Sequence, residues 1–426
     1  MHRRQLLSGL AAAGVASVLS ACATPTRSSS AGARARVVVI GGGFAGTTAA
    51  KYIRLRDPTI EVTLVERDAE FVSCPLSNLV IGGSRDLASL TRSYGALSQR
   101  HGVRRVRDEV TAIDTAARRV RLARGADLRY DRLIVAPGVD VSYDSLPGLS
   151  GAGARQRVLH AWRAGPQTLA LRRQLEAMPD GGVFAIHIPK APYRCPPGPY
   201  ERACQVAWYL RQHKPRSKVL VLDANDDIVS KKALFRAAWD TLTPGIVEYR
   251  PSQDLLDVDA RQLTAKLAFG DQRADVLNVI PPQRAGAIAY LAGLVTANDR
   301  WCGVDFRTFE SLVVPGVHVL GDATLAAPLM PKSGHMANQH AKVCADAVVA
   351  LLSGESPNPE PIISNTCYSF VSDRQAVHVA SVHRYDPNSR TFAVVDGTLG
   401  VSPGLNDREG AFAEAWANNI WTDMLG

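Results

Sequence analysis

The chain is 426 residues long, 46% of them hydrophobic, with a net charge of +9. That length exceeds one ordinary domain and suits two or three with full cores. Five of the excess positive charges are Arg3, Arg4, Arg27, Arg34 and Arg36, all ahead of the first acid, Asp57; a basic head with no aromatic-rich basic patch behind it argues against nucleic acid as a partner.

The chain opens Met-His-Arg3-Arg4 and continues in an apolar run from Leu6 to Ala23, diluted by Ala, Gly and Ser. Paired arginines before a weakly hydrophobic core fit a twin-arginine export signal over residues 1–23. Small residues and the lack of a stop-transfer flank argue against a membrane-spanning helix. Two cleavage patterns overlap. Leu19-Ser20-Ala21-Cys22 has the form of a bacterial lipoprotein site, with Cys22 lipidated, while Ala21-Cys22-Ala23 fits ordinary small-x-small cleavage. Residues 24–35 form a flexible tether. A periplasmic location follows, with or without a lipid anchor.

A strand, Arg36-Val-Val-Val-Ile-Gly41, runs into Gly41-Gly42-Gly43-Phe44-Ala45-Gly46 and a helix from Thr47 to about Arg56. Asp57-Pro58 ends it, because the residue before a proline avoids the α region. The next strand, Glu61–Glu66, puts an acid 20 residues past Gly46, the spacing at which a carboxylate meets a ribose hydroxyl. Gly41, Gly43, Ala45, Gly46, Glu66, Arg67 and Val110 open the candidate cofactor set. Cys74, followed by Pro75, lies just beyond the ribose acid. Tyr130-Asp-Arg-Leu-Ile-Val-Ala-Pro137-Gly138 is a strand ending in a tight turn.

Val183–Ile188 is then a buried strand, with a helix at about Tyr200–Gln212 and a further strand at Lys218–Asp223. Between the first two stands Pro189-Lys-Ala-Pro-Tyr-Arg-Cys195-Pro-Pro-Gly-Pro-Tyr-Glu201. A nucleotide-binding turn needs glycines and free N–H groups there, and prolines supply neither. A thiol occupies the place of the second nucleotide loop. Its neighbours Lys190, Arg194 and Arg202 are cations of the kind that lower a thiol pKa and attract hydrosulfide. Val317-His-Val-Leu-Gly321-Asp322 is a strand ending in Gly-Asp. With the strand at 130–138 it is similar to the FAD domain of the glutathione reductase type, where the acid at the place of Asp322 binds the ribityl chain. Pro137, Gly138 and Asp322 join the cofactor set. Met330-Pro-Lys332-Ser333-Gly334 precedes a helix to about Leu352, whose N-terminus, with Lys332, would favour an anionic reduced flavin.

The tail from about residue 360 carries β-like stretches at Ala376–Val382 and Thr391–Val395. It ends in an amphipathic run, Ala411–Leu425, with Trp416 and Trp421 as interface anchors or as core. The seven cysteines include no Cys-x-x-Cys-His, so this chain attaches no c-type haem, and their spacings do not resemble a zinc site. Cys204 and Cys344 fall on helix faces that read as core.

Cys195-Pro-Pro-Gly-Pro-Tyr-Glu-Arg, Ile280-Pro-Pro-Gln-Arg-Ala-Gly, Met330-Pro-Lys-Ser-Gly and Asn365-Thr-Cys-Tyr-Ser together resemble the flavoprotein subunit of flavocytochrome c sulfide dehydrogenase, from Arg36 to Gly426. The resemblance implies a redox-active disulfide, Cys195–Cys367, and a covalent link from Cys74 to FAD. It also implies a catalytic acid–base group at Glu201 and a c-type cytochrome partner that carries the haem. Pro75 departs from the family pattern, which has an aromatic after the linking cysteine. The expected fold is α/β with two Rossmann-like domains. The FAD-binding domain is discontinuous (36–146 and 290–355), the second (147–289) lacks an NAD loop, and a small α+β domain (356–426) closes the chain. The competing readings are a sulfide:quinone oxidoreductase and a flavin-bearing thiol–disulfide or electron-transfer protein that does not act on sulfide.

Overall fold

Alternating apolar runs and glycine turns put the strand Ala35–Ile40 at the middle of the five parallel strands of the first sheet. The computed structural model describes residues 33–426. The export signal, Cys22 and most of the 24–35 tether lie outside the described residues. Ala35–Ile40 pairs in parallel with Ile60–Val65 on one side and Arg132–Val135 on the other. Arg104–Val106 and Val317–Val319 extend the parallel sheet outward, and two short antiparallel strands complete seven. Val37, Val38, Val39 and Ile40 are all buried, as a parallel strand covered on both faces requires. Helices Phe44–Arg56 and Gly334–Ser353 contact one another along their length over this sheet. Both present small residues, Ala45 and Ala49 on one and Ala337 and Ala341 on the other, to the same core.

The second sheet is a parallel set in the order Val247–Arg250, Lys218–Asp223, Val183–Ile188, Val276–Val279. Its helix spans Gly198–His213 and so begins two residues earlier than the sequence suggests. Proline at its first positions tolerates the missing N–H groups of a helix start. Cys204 is fully buried on this helix, and Cys344 on Gly334–Ser353.

The tail forms a long antiparallel hairpin, Ile362–Phe370 with Ala376–Asp386, a third strand, Thr391–Val394, and a helix, Asp407–Leu425. Its core is not its own. Ile363, Phe370, Ala417, Ile420, Trp421 and Met424 complete the core of the first domain, while Val371 and Val377 join that of the second. No helix among the described residues is long and apolar enough to cross a membrane.

Candidate active site

The first nucleotide loop is shaped for close approach. A Cβ on Gly41 would lie 2.3 Å from Ala136 O, and one on Gly46 1.8 Å from Gly41 O. Gly43 differs: nothing of the protein lies within 4 Å of where its Cβ would stand. The helix Phe44–Arg56 begins there with no side-chain cap and no acid in its first turn, which leaves its leading N–H groups open to an anion. Ala45 is buried in that first turn. The Glu66 carboxylate accepts from Gly42 N at 2.6 Å and from Asp68 N at 2.8 Å. Gly138 turns the chain at φ +65° after Pro137. The Asp322 carboxylate accepts no hydrogen bond from any described residue, and burial pushes its pKa up against the pull of Arg194 and Lys332. An open cradle, an unpaired acid and a bare helix N-terminus fit a dinucleotide such as FAD. Arg67 pairs at 3.6 Å with Glu109 on the surface, and Val110 opens a strand of a separate antiparallel sheet.

The two candidate cysteines, 172 residues apart in the chain, come to one step of the backbone, Lys332–Ser333. Cys195, at φ +59°, donates its N–H to Lys332 O at 2.8 Å. Cys367 lies mid-strand, two residues after Asn365, whose Oδ1 accepts from the Ser333 hydroxyl at 2.7 Å. Both stand as half-buried free thiols. Burial pushes both thiols up, and Cys367 raises Cys195 further. This corrects the expectation drawn from the basic neighbours. Arg194 and Lys231 do pull Cys195 down, but desolvation outweighs them, and Lys190 is exposed.

Glu201 is buried in the first turn of its helix. Phe370 N donates to one oxygen at 2.8 Å and Asn78 Nδ2 to the other at 2.9 Å. Burial raises its pKa against those donors. A carboxylate in that turn interacts favourably with the helix dipole in the place a second pyrophosphate would take.

Cys74 accepts from Ala164 N at 3.5 Å, half-buried. The Arg194 guanidinium faces Cys74, Asp322 and Cys195; burial alone would lower its pKa, but those three raise it. Lys332 is buried beside Asp322. Its ammonium donates to Asp322 O at 3.0 Å and lies 3.7 Å from the centre of the Trp301 ring, and burial lowers it to about 8. The N-cap of the helix Gly334–Ser353 is Ser333, whose hydroxyl accepts from Met336 N.

Trp421 is buried rather than available as an anchor. Its Nε1 donates to Ser73 Oγ at 3.1 Å, beside Cys74, and the Arg92 guanidinium lies 4.0 Å from its ring. Trp416 is half-buried in a surface hollow of about 410 Å³ with Tyr368 and His335. Asn78 and Lys231 also belong to the site. Neither stands in a motif, and only the fold brings them to Glu201 and Cys367.

Comparison with known proteins bears on the family and the fold. Residues 168–281 match the family described as sulfide dehydrogenase (flavocytochrome c) flavoprotein chain, central, and residues 359–425 match flavocytochrome c sulphide dehydrogenase, flavin-binding. Residues 35–176 match pyridine nucleotide-disulphide oxidoreductase. A sulfide dehydrogenase (flavocytochrome c) flavoprotein chain from Chlorobaculum thiosulfatiphilum is 62% identical over 45 residues, which are 11% of this chain and 94% of that one. This chain belongs to the flavocytochrome c sulfide dehydrogenase flavoprotein family. The family stands among the sulfide-oxidising FAD flavoproteins. Mitochondrial sulfide:quinone oxidoreductase of Mus musculus is 23% identical over 68% of this chain and 65% of its own length. The sulfide:quinone oxidoreductase structure from Aquifex aeolicus shares the fold, with a TM-score of 0.74 at 17% identity over 92% of this chain and 91% of that one.

Proposed function

We propose that the chain oxidises hydrosulfide at a Cys195–Cys367 disulfide beside bound FAD and passes the electrons to a c-type cytochrome on another chain. The observation that carries this is the meeting of Cys195 and Cys367 at Lys332–Ser333, with buried Glu201 alongside, where a second nucleotide loop would otherwise lie. Hydrosulfide attacks Sγ of Cys195. A sulfur–sulfur bond forms there, the Cys195–Cys367 bond breaks, and its electron pair leaves on Cys367 as thiolate. Glu201, whose pKa burial raises, takes the proton of the new persulfide. Asn78 and Phe370 N hold that carboxylate in place. FAD, when bound, supplies an acceptor that takes electrons in pairs and releases them singly. Gly41, Gly43, Ala45 and Gly46 would hold its pyrophosphate, Glu66 a ribose, Asp322 the ribityl chain and Cys74 a covalent link. Anaerobic titration is the test: flavin that bleaches with stoichiometric sulfide supports the reading, and flavin indifferent to sulfide refutes it.

The similarity to sulfide:quinone oxidoreductases favours a second reading, in which quinone is the acceptor. Against it, the C-terminal helix turns Ala413, Ala417, Ile420 and Met424 into the core and exposes Asn418 and Asn419, with Phe412 its one exposed large apolar side chain. Faster turnover with a soluble quinone than with cytochrome c would decide for quinone. The exported location read from Arg3 and Arg4 is part of the proposal, and cell fractionation tests it.

Two predictions arise from the cofactor set. Acid precipitation leaves yellow, fluorescent flavin in the wild-type pellet and releases it from Cys74→Ser; a colourless wild-type pellet would make the Pro75 departure decisive. Gly43→Ala, built in the Cys74→Ser background, leaves apoprotein melting essentially unchanged, because its Cβ meets open space at an ordinary φ of −80°. Its FAD dissociation constant rises about tenfold, or about 1.4 kcal/mol, because the added methyl enters the cofactor's cradle. Equal affinities would place the pyrophosphate elsewhere.

A further inference from the structure

Lys231 is buried, yet the chemistry above does not use it. It sits at φ +53° as the N-cap of the helix Lys232–Leu242, a backbone region uncommon outside glycine. Its ammonium donates to Cys367 O at 3.0 Å, to the Ser369 hydroxyl at 2.8 Å and to Val377 O at 3.4 Å. All three acceptors lie on the hairpin that carries Cys367, whereas Lys231 belongs to the second nucleotide-type domain. Facing it are Cys367 on the hairpin, Glu409 on the C-terminal helix, Cys195 in the turn ahead of Gly198–His213, and Glu201 in the first turn of that helix. Phe235, on its own helix, lies 5.7 Å away. Burial lowers its pKa to about 8 against the attraction of those four groups.

The two sulfurs have different surroundings. Cys195 faces the Glu201 carboxylate, which opposes negative charge there. Cys367 faces Lys231 and the side chains of Asn365 and Ser333, which favour negative charge ahead of the smaller opposition from Asp322. Arg194 and, more weakly, Lys231 favour charge on Cys195, but the Arg194 guanidinium is shared with Cys74 and Asp322, and the Lys231 ammonium is bonded to the Cys367 strand.

We propose that Lys231 is a positioning residue for the cysteine pair: its ammonium, fixed on the Cys367 strand, draws the electron pair released by disulfide opening onto Cys367 and leaves the substrate sulfur on Cys195. This rests on the disulfide reading above. The step balances as hydrosulfide plus disulfide going to a Cys195 persulfide and a Cys367 thiolate; the substrate sulfur is oxidised and the cysteine disulfide reduced by the same two electrons.

The test uses the reduced holoenzyme and iodoacetamide, with mass spectrometry of the Cys195 and Cys367 peptides over about pH 6 to 10. In Lys231→Met the half-point for Cys367 alkylation moves up, and its rate near neutrality falls about fivefold or more. The Cys195 peptide changes less, and Lys231→Arg restores Cys367. Unchanged Cys367 profiles in Lys231→Met overturn the proposal. If Lys231→Met fails to fold by thermal melting, Ser369→Ala decides. It removes the acceptor at 2.8 Å, so an upward shift of the Cys367 profile supports the proposal and an unchanged profile overturns it. Alkylation needs no sulfide turnover, so wild-type flavin that does not bleach with sulfide counts against the functional reading and leaves the thiolate measurement standing as its own result.

Discussion

Cys195→Ser and Cys367→Ser each slow the anaerobic bleaching of flavin by sulfide by about a thousandfold or more, and the double variant is little worse than either single one, because residues that act as a unit fail together. Flavin content and spectrum stay close to wild type. The reason is geometric. Cys195 is tied to Lys332 O through its backbone N–H, and the strand of Cys367 is tied to Ser333 through Asn365. An oxygen in place of either sulfur leaves those ties intact while removing the bond that sulfide must open. Stopped-flow absorbance measures the rate. A single variant bleaching at the wild-type rate would exclude the disulfide mechanism and favour an electron-transfer protein that uses these thiols otherwise.

Trp421→Ala costs about 3–5 kcal/mol of stability, the usual range for truncating a large buried aromatic. Trp421 is 4% exposed, packs in the core of the first domain, and donates to Ser73 next to Cys74. Its loss opens a cavity and frees the loop of Cys74, so flavin retention falls with stability. Urea unfolding followed by fluorescence, together with the flavin-to-protein absorbance ratio after gel filtration, measures both effects. An unchanged unfolding midpoint with impaired cytochrome binding would restore Trp421 as a docking anchor. The half-buried Trp416, in its surface hollow, is the tail tryptophan that a partner can reach.

Much of the site was legible because its chemistry is written in short local patterns. Gly41 to Gly46 with Glu66 needs only a strand, a turn and a helix in succession. Cys195 could be singled out because prolines stand where a nucleotide loop requires N–H groups. The pairing of Cys195 with Cys367 came from resemblance, since nothing local links positions 172 residues apart. Cys195 also shows where local reading fails. Cations adjacent in sequence predict a lowered pKa, but the decisive quantity is desolvation, which depends on the packing of the whole pocket. The same limit hid Lys231, whose neighbours in sequence are ordinary and whose acceptors lie on a hairpin beyond residue 360.

By itself, the amino-acid sequence determined the two parallel nucleotide-type sheets, the glycine cradle and the proline-closed second loop. Strand periodicity, glycine conformation and the missing proline N–H all act within a few residues. Tertiary structure alone decided three other things. It made the tail a completing part of the first domain's core, turned Trp421 inward onto Ser73, and brought Lys231 and Glu201 to the cysteine pair. Each depends on which apolar face finds a partner and which charge loses its water, and those terms are fixed only when segments distant in the chain are packed together.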